Sequence, residues 1–529
     1  MNNSPPTFID LFCGCGGFSL GLKKAGFKEL ASIDFNPEAI TVFRANFPEV
    51  PHVLEEDLTK FQPKQLKKLI GTDHVDLIVG GPPCQGFSTV RQADGANSGE
   101  RLIEDDRRNL FREFLKFVKY FKPKIFIMEN VPGIRSAAGG YFFTRVQSEA
   151  RKLGYRVHGE VIRAWEYGVP QKRERQLIIG TKLILPLFSS HLYMPATHGN
   201  EKDLHPLVTL WEAIGDLPPL SAGEGADVSD YDLERRQQQL DIYGGRFLSD
   251  VMEVDKTEKL TSHRARKHSE RDVRDFRRLR EGENSAQAIA RDVIMEFPYD
   301  REAFKDRYTR QHRDELCSTI LAHLSKDGLM FIHPTQDRSL TPREAARVQS
   351  FPDWFKFPVS QIHQFRLIGN AVPPQVGLSV GLAIKKWLED VDNYKYKPHI
   401  TIPVNESQAT EWLLDMVNAG QNGKPAKIPI RIFRKGWFAI AYLFSYLHPD
   451  SAKENGAHLI RNFKSNLDLL KRQAPQLIRP LYARSGWPKR LVPYALDAQR
   501  RFINGELSID EYYCSEAFMR GMKADKEET

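Results

Sequence analysis

The first 180 residues alternate short apolar runs with stretches of helical periodicity, and that alternation admits few architectures. Thr7 to Phe12 is such a run, Gly14-Cys15-Gly16-Gly17 is a turn, and Phe18 to Ala25 begins a helix. Further runs end at Ile33, precede Asp57, and span Val75 to Val79, Lys124 to Met128 and Gln176 to Gly180. Runs this short, punctuated by turn residues, read as buried strands, and the periodic stretches between them as crossover helices. The expectation is an α/β fold built on a parallel sheet, with ligands bound beyond the strand ends.

One strand end carries a candidate nucleophile. Gly80-Gly81-Pro82-Pro83-Cys84-Gln85-Gly86-Phe87-Ser88 follows the run ending at Val79, and its glycines and prolines force the backbone out of the sheet. Cys84 is thereby displayed at a turn, where a thiol can attack a ligand. A free cysteine is more often a small buried hydrophobe, and spacing alone does not separate the two readings. Five cysteines, Cys13, Cys15, Cys84, Cys317 and Cys514, are odd in number and form no disulfide framework. Cys13 and Cys15 lack a second Cys/His pair at ligand spacing, so no metal is expected.

At 529 residues the chain exceeds one ordinary core. From about Leu183 to residue 310 the periodicity dissolves over a length too great for a loop in a compact domain, which points to an inserted smaller domain. Regular pattern returns over Arg338–Pro352 and Arg366–Gly381. Beyond about Asp390 a proline-containing linker leads into helical periodicity, with Phe433, Trp437, Ala441 and Phe444 as a core stripe. The N-terminus has neither the basic nor the apolar region of a secretion signal. Gly436–Leu447, the longest apolar stretch of the C-terminal third, is too short for a bilayer span. A cytoplasmic protein with no membrane association is expected. The net charge of +8 favours a polyanionic partner.

The turn after the first run puts Gly14, Gly16 and Gly17 within four positions, which lets backbone approach a ligand and aims a helix N-terminus at it. The spacing differs from the dinucleotide fingerprint, and no phosphate-binding lysine follows. Asp34 stands at the end of the second run, suitably placed for two ribose hydroxyls. Asp57 can accept from an amine, and Phe12 and Phe35 can flank a purine. An adenosine-bearing cofactor without phosphate satisfies this set, and S-adenosyl-L-methionine is one.

Six ordered blocks complete a resemblance. Asp10-Leu11-Phe12-Cys13-Gly14-Cys15-Gly16-Gly17-Phe18, Gly81-Pro82-Pro83-Cys84-Gln85-Gly86-Phe87-Ser88, Glu129-Asn130-Val131, Gln171-Lys172-Arg173-Glu174-Arg175, Arg343-Glu344-Ala345-Ala346-Arg347 and Gly369-Asn370-Ala371-Val372-Pro373-Pro374 occur in the order seen in DNA (cytosine-5) methyltransferases. The chain resembles that family over roughly residues 7–182 and 315–385. The resemblance implies an S-adenosylmethionine-dependent, Rossmann-like catalytic domain split between residues 1–182 and 315–389. A target-recognition domain at 183–314 would interrupt it, and a mainly helical extension of unknown role would occupy 390–529.

It further implies that Cys84 adds to cytosine C6, that Glu129 hydrogen-bonds or protonates N3, and that Arg175 contacts the cytosine carbonyl oxygen. Arg173 would be its phosphate-binding or site-organising companion. Phe12, Cys13, Gly14, Gly16, Gly17, Phe18, Asp34, Phe35, Asp57, Pro82, Asn370 and Val372 would line the cofactor pocket. Gln85, Ser88 and Gln171 would attend the substrate. Gln85 and Ser88 read as elements of a loop closing over an extruded base, or simply as a polar turn.

In such a family the insertion carries sequence recognition. Here it contains Ser262-His263-Arg264-Ala265-Arg266-Lys267-His268 followed by Arg271, Arg274, Arg277, Arg278 and Arg280, a segment suited to phosphate contacts or to a solvated helix face. The extension interleaves Arg431, Phe433, Arg434, Lys435 and Trp437, then Trp487, Lys489 and Arg490, as a DNA or partner surface or as a buttressing helical domain. The expected activity is cytosine-5 methylation of a specific duplex DNA site by a monomer, in a bacterial or phage restriction-modification or defence setting with a possible cognate nuclease or defence protein. A tRNA-modifying relative and a non-catalytic DNA-binding module are the rivals.

Overall fold

A computed structural model describes residues 4–83, 110–182, 194–297 and 308–396. Cys84, Gln85, Ser88 and the segment beyond residue 396, with its aromatic and basic stripe, lie outside the described residues.

Seven strands form one sheet in the order β3-β2-β1-β4-β5-β7-β6: β1 Thr7–Leu11, β2 Lys28–Asp34, β3 Val53–Glu55, β4 Leu77–Gly80, β5 Ile125–Asn130, β6 Arg156–Arg163 and β7 Glu174–Thr181. The central strands are near-continuous apolar runs because helices cover both faces; Ile125, Phe126, Ile127 and Met128 are wholly buried. β1 pairs in parallel with β2 on one side and β4 on the other, so the chain order reverses between β1 and β4. Leu11 pairs with Gly80 and Gly80 with Met128, which aligns the ends of β1, β4 and β5 along one edge. That edge, at a switch point, is where open α/β sheets bind ligands.

The expectation of a parallel sheet needs one correction. β7 runs antiparallel to β5, with Asn130 opposite Gln176. Its reversed direction matters for the site, because the start of β7 falls at the same edge as the end of β5. β6, whose Arg-Val-His-Gly-Glu-Val-Ile-Arg sequence has no apolar run, is an edge strand absent from the expectation.

Helix α1, Gly17–Lys24, starts at Gly16 and ends on Lys23 and Lys24, cations that suit a helix C-terminus. Helix α2, Pro37–Asn46, is capped by Asn36, which accepts from the Ala39 N–H, with Pro37 at its first position. After the insertion the chain returns through helices Pro342–Val348, Gln361–Asn370 and Pro374–Tyr396. Residues 361–389 are apolar enough to cross a bilayer by length and composition, but 67% of the most apolar window is buried in the protein, and the turn at Ala371–Pro373 divides them. Helix 374–396 crosses α1 so closely that a Cβ on Gly21 would lie 2.4 Å from the Gly377 carbonyl carbon.

The insertion has an antiparallel strand pair, β8 Gly225–Ser229 and β9 Leu260–Arg264, and its Phe276 and Tyr308 share an apolar cluster with Leu329 and Ile332 of the returning part. Its residues Leu210, Phe247, Met252 and Leu260 instead share a core with Phe43, Phe47, Phe355 and Phe365. A buried ionic cluster joins the two. Arg347 binds Asp216 and Asp353, and Arg343 donates to the carbonyls of Thr261, Pro352 and Phe355. One compact unit takes in Met1–Ala150, Val157–Thr181 and Met194–Lys385. The described residues 151–156, 182 and 386–396 fall in a second unit, within which the Lys182 ammonium sits 4.6 Å from the centre of the Tyr155 ring.

Candidate active site

The turn between β1 and α1 is held in an unusual backbone conformation. Phe12 takes φ 62°, Gly14 φ 55° and Gly16 φ 92°. At Gly16 a side chain is also sterically barred, since a Cβ would meet the Phe47 ring at 2.5 Å. Asp34 fastens this turn: Oδ2 accepts from the Gly14 N–H and Oδ1 from the Asn36 N–H, each at 2.9 Å. Burial pushes the Asp34 carboxyl up, and the N–H donors of Asn36, Gly14 and Phe35 draw it back. Three N–H donors on about four lone-pair directions leave the carboxylate room for a ligand hydroxyl.

Next to Asp34, Phe35 is 64% exposed, which is uncommon for a phenylalanine at a strand end. Phe12 is half-buried at the end of the neighbouring strand, and Asp57 holds the Thr59 N–H at 2.9 Å after β3. Asn370 is exposed, Val372 is buried, and the Val372 carbonyl lies where a Cβ on Gly17 would be 2.2 Å away. Phe18 is buried against Gly377, and Cys13 is buried beneath the turn. An exposed ring, a carboxylate with spare acceptor capacity and a glycine turn at one strand edge fit an adenosine group. Among the described residues no group of three or more His, Cys, Asp or Glu side chains is arranged to hold a metal.

The second half of the site lies at the ends of β4 and β5. The Arg175 Nε donates to Glu129 Oε1 at 2.8 Å, both side chains being only 11% exposed. A second Arg175 nitrogen donates to its neighbour's carbonyl, Glu174 O, at 2.7 Å, which fixes the guanidinium in place. Glu129 Oε2 faces Gly81, where a Cβ would sit 3.1 Å away. Asn130, to which the sequence reading assigned no role, donates from Nδ2 to the Pro82 carbonyl at 3.1 Å and accepts the Val131 N–H at 2.9 Å. It pins the chain two residues before Cys84. The signal available in sequence was a carboxamide immediately after the strand-end acid.

Arg173 and Gln171 face inward. Arg173 is wholly buried and donates to the carbonyls of Ile320 (2.8 Å), Gly369 (3.2 Å) and Ala371 (2.9 Å). That is an organising position; a phosphate contact is excluded by its burial. Gln171, expected to attend the substrate, is buried too. It donates to Val348 O and Gln349 Oε1 at 2.8 Å and accepts the Ile320 N–H at 3.0 Å. Gln349 itself escaped the sequence reading. Cys13, Cys15 and Cys317 are buried, and burial pushes all three thiols up, to about 12 at Cys15, so none is a thiolate near neutral pH.

A family model described as C-5 cytosine-specific DNA methylase matches residues 6–386. The chain belongs to this family. It is similar to the type II methyltransferase M.DdeI of Desulfomicrobium norvegicum, 34% identical over 401 residues that cover 73% of this chain and 89% of the relative. It is also similar to the type II methyltransferase M.AgeI of Thalassovita gelatinovora, 31% identical over 435 residues, covering 71% and 98%. Among solved structures, a putative DNA modification methyltransferase encoded within an Escherichia coli prophage superposes with a TM-score of 0.55 at 28% identity, over 73% of this chain and 99% of that one. The sheet is accordingly the Rossmann-like sheet of a DNA cytosine-5 methyltransferase.

In this methylase several arginines of the insertion's basic segment have acidic partners. Arg274 and Arg278 share Glu296, Arg277 pairs with Asp337, and Arg271 with Asp272. Arg266 donates to the carbonyls of Leu324, Ser325 and Lys326, and His263 is buried between Pro218 O and Thr341 Oγ1. Arg264, Lys267, Arg274, Arg277 and Arg280 stay exposed, and exposed ion pairs are weak enough for a phosphate to replace the carboxylate.

Proposed function

We propose that the enzyme transfers the methyl group of S-adenosyl-L-methionine to C5 of a cytosine in a specific duplex DNA sequence, as the modification arm of a type II restriction or defence system in a bacterial or phage setting. The observation that carries this reading is the Glu129–Arg175 pair beside the Gly81–Pro83 chain that leads to Cys84, on the same strand edge as the Asp34-fastened glycine turn. Phe12, Phe35, Asp34 and Asp57 would hold the adenosine, and the bound cofactor supplies an electrophilic methyl on a sulfonium.

Cytosine C5 is too weak a nucleophile in the aromatic ring. In the proposed mechanism the Cys84 thiolate forms a bond to C6, and the displaced ring electrons move toward N3 and O2. Glu129 donates a proton or hydrogen bond to N3, and Arg175 donates to O2, stabilising that charge where it develops. The electron pair returns through C5 to take the methyl; loss of the C5 proton, to a positioned water, then expels the thiolate and restores the ring. Reaching C6 requires the base to leave the helix, at a cost of a few kcal/mol of unstacking. Exposed cations of the insertion would offset part of it.

The test is expression of the chain in a methylation-free host followed by conversion sequencing. A recurrent 5-methylcytosine motif, absent with Cys84→Ser, is expected. Folded protein without genomic methylation would overturn the reading, and modified tRNA in its place would favour an RNA substrate.

A further inference from the structure

Between the donor half and the base half of the site stands one side chain that neither half requires. Gln349, at the end of helix 342–348, is wholly buried, and its carboxamide uses both ends. Oε1 accepts from Gln171 Nε2 at 2.8 Å, while Nε2 donates to Ile368 O at 2.6 Å and, more weakly, to Ala371 O at 3.4 Å. On the first side, Gln171 begins the turn that leads through Arg173 into β7, where Arg175 meets Glu129. On the second, Ala371 precedes Val372, whose carbonyl is packed against Gly17 at the start of α1. Arg173 converges on the same Ala371 carbonyl from the β7 side.

We infer that Gln349 is a positioning residue that couples the methyl-donor pocket to the cytosine pocket, so that occupancy of one is felt by the other. This rests on the functional reading above. The physical reason is alignment: methyl transfer requires the donor carbon and C5 to approach within reacting distance, and an error of about 1 Å costs on the order of 100-fold in rate. The 369–372 turn and the start of β7 belong to segments some two hundred residues apart in sequence. A buried hydrogen-bonded network specifies their relative placement in a way that apolar packing does not. The coupling is reciprocal: DNA bound at Arg175 tightens the donor pocket by the factor that donor tightens DNA.

The experiment uses the full chain and a duplex carrying the mapped motif. Titration with S-adenosyl-L-homocysteine, with and without that duplex, measures the linkage without turnover. Wild type is expected to bind at least about fivefold tighter with duplex present. Gln349→Met keeps the volume and removes both hydrogen bonds, and Gln349→Asn withdraws the carboxamide by one methylene. Both are expected to bind S-adenosyl-L-homocysteine alone within about threefold of wild type, to lose most of the linkage, and to lower kcat by about 10- to 100-fold with little change in KM for the cofactor. Linkage and kcat retained in both variants would overturn the inference. So would a loss of cofactor affinity in step with kcat, failure of both variants to fold, or a wild type that methylates without linkage. A wild type that neither binds the ligand nor methylates DNA sinks the functional reading itself.

Discussion

Arg175 reaches Glu129 across two strands that run in opposite directions, its Nε 2.8 Å from Oε1. Were β7 parallel to β5, the start of β7 would lie at the far edge of the sheet and the two side chains could not meet. The reversal of one strand thus assembles the pair proposed to bracket the pyrimidine ring.

Glu129→Gln keeps the size and removes the carboxyl proposed to serve N3, and Arg175→Ala removes the proposed donor to O2. Each should lower kcat by at least about 100-fold, the usual scale for a positioned acid or a charge-stabilising donor. Arg175→Ala additionally leaves Glu129 without its partner. Single-turnover methyl transfer at saturating cofactor checks this, and kcat within tenfold of wild type in either variant would count against the assignment.

Asn130→Ala should act on the nucleophile without touching the ring. It frees the Pro82 carbonyl, a buried acceptor whose loss of partner costs about 1–3 kcal/mol, and with it the placement of the chain leading to Cys84. The expected outcome is a kcat lowered by about tenfold or more with cofactor affinity unchanged. Trapping with 5-fluorocytosine duplex should slow in proportion; unchanged trapping would show that Asn130 does not set the approach to Cys84.

Much of the sheet was legible because β1, β4 and β5 are apolar runs that announce burial on both faces. β6 was not, since an edge strand with arginine at each end carries no such run. Strand direction was invisible as well: nothing local in Glu174–Thr181 says which way it pairs. At the site, Asp34 stood out by its place at a strand end, whereas Glu129 and Arg175 were given roles by the family resemblance. Arg173 and Gln171 could not be told from them, because inward and outward orientation depends on Ile320, Gly369 and Ala371 far along the chain. The ion pairs of the basic segment were hidden for the same reason: the acids Glu296 and Asp337 come 18 to 60 residues later in sequence.

Asp216→Ala tests how the insertion is anchored. Arg347 is buried between Asp216 and Asp353, and removing one partner of such a cluster leaves an uncompensated charge, at about 3–5 kcal/mol. The variant should unfold several degrees lower. Interaction with Arg347 also holds the Asp353 carboxyl down, at about 2 against the burial that opposes it. That stabilisation is present above the ordinary aspartate range and is lost as pH falls from about 4 toward 2. Acid unfolding steepening in that window is expected of wild type, and Asp353→Asn should flatten it.

Beneath the glycine turn, Asp10 and Glu29 are both buried and share one hydroxyl: Ser19 Oγ lies 2.9 Å from Asp10 Oδ2 and 2.6 Å from Glu29 Oε1. One hydroxyl proton cannot serve two carboxylates, so at least one acid keeps its own proton. Burial pushes Asp10 well up and Glu29 up to about 7, with the hydroxyls of Ser19 and Ser32 only partly opposing at Glu29. A carboxyl whose folded-state pKa is raised favours the fold at low pH. That contribution is full below the unfolded value near 4.5 and is lost as pH rises through 7. At about 1.4 kcal/mol per unit, the loss at Glu29 amounts to about 3 kcal/mol. Glu29→Gln removes the ionisation while retaining an oxygen for the serine donors. Relative to wild type, it should therefore gain thermal stability between pH 5 and pH 8. Melting curves that stay parallel across that range would show that Glu29 does not titrate there.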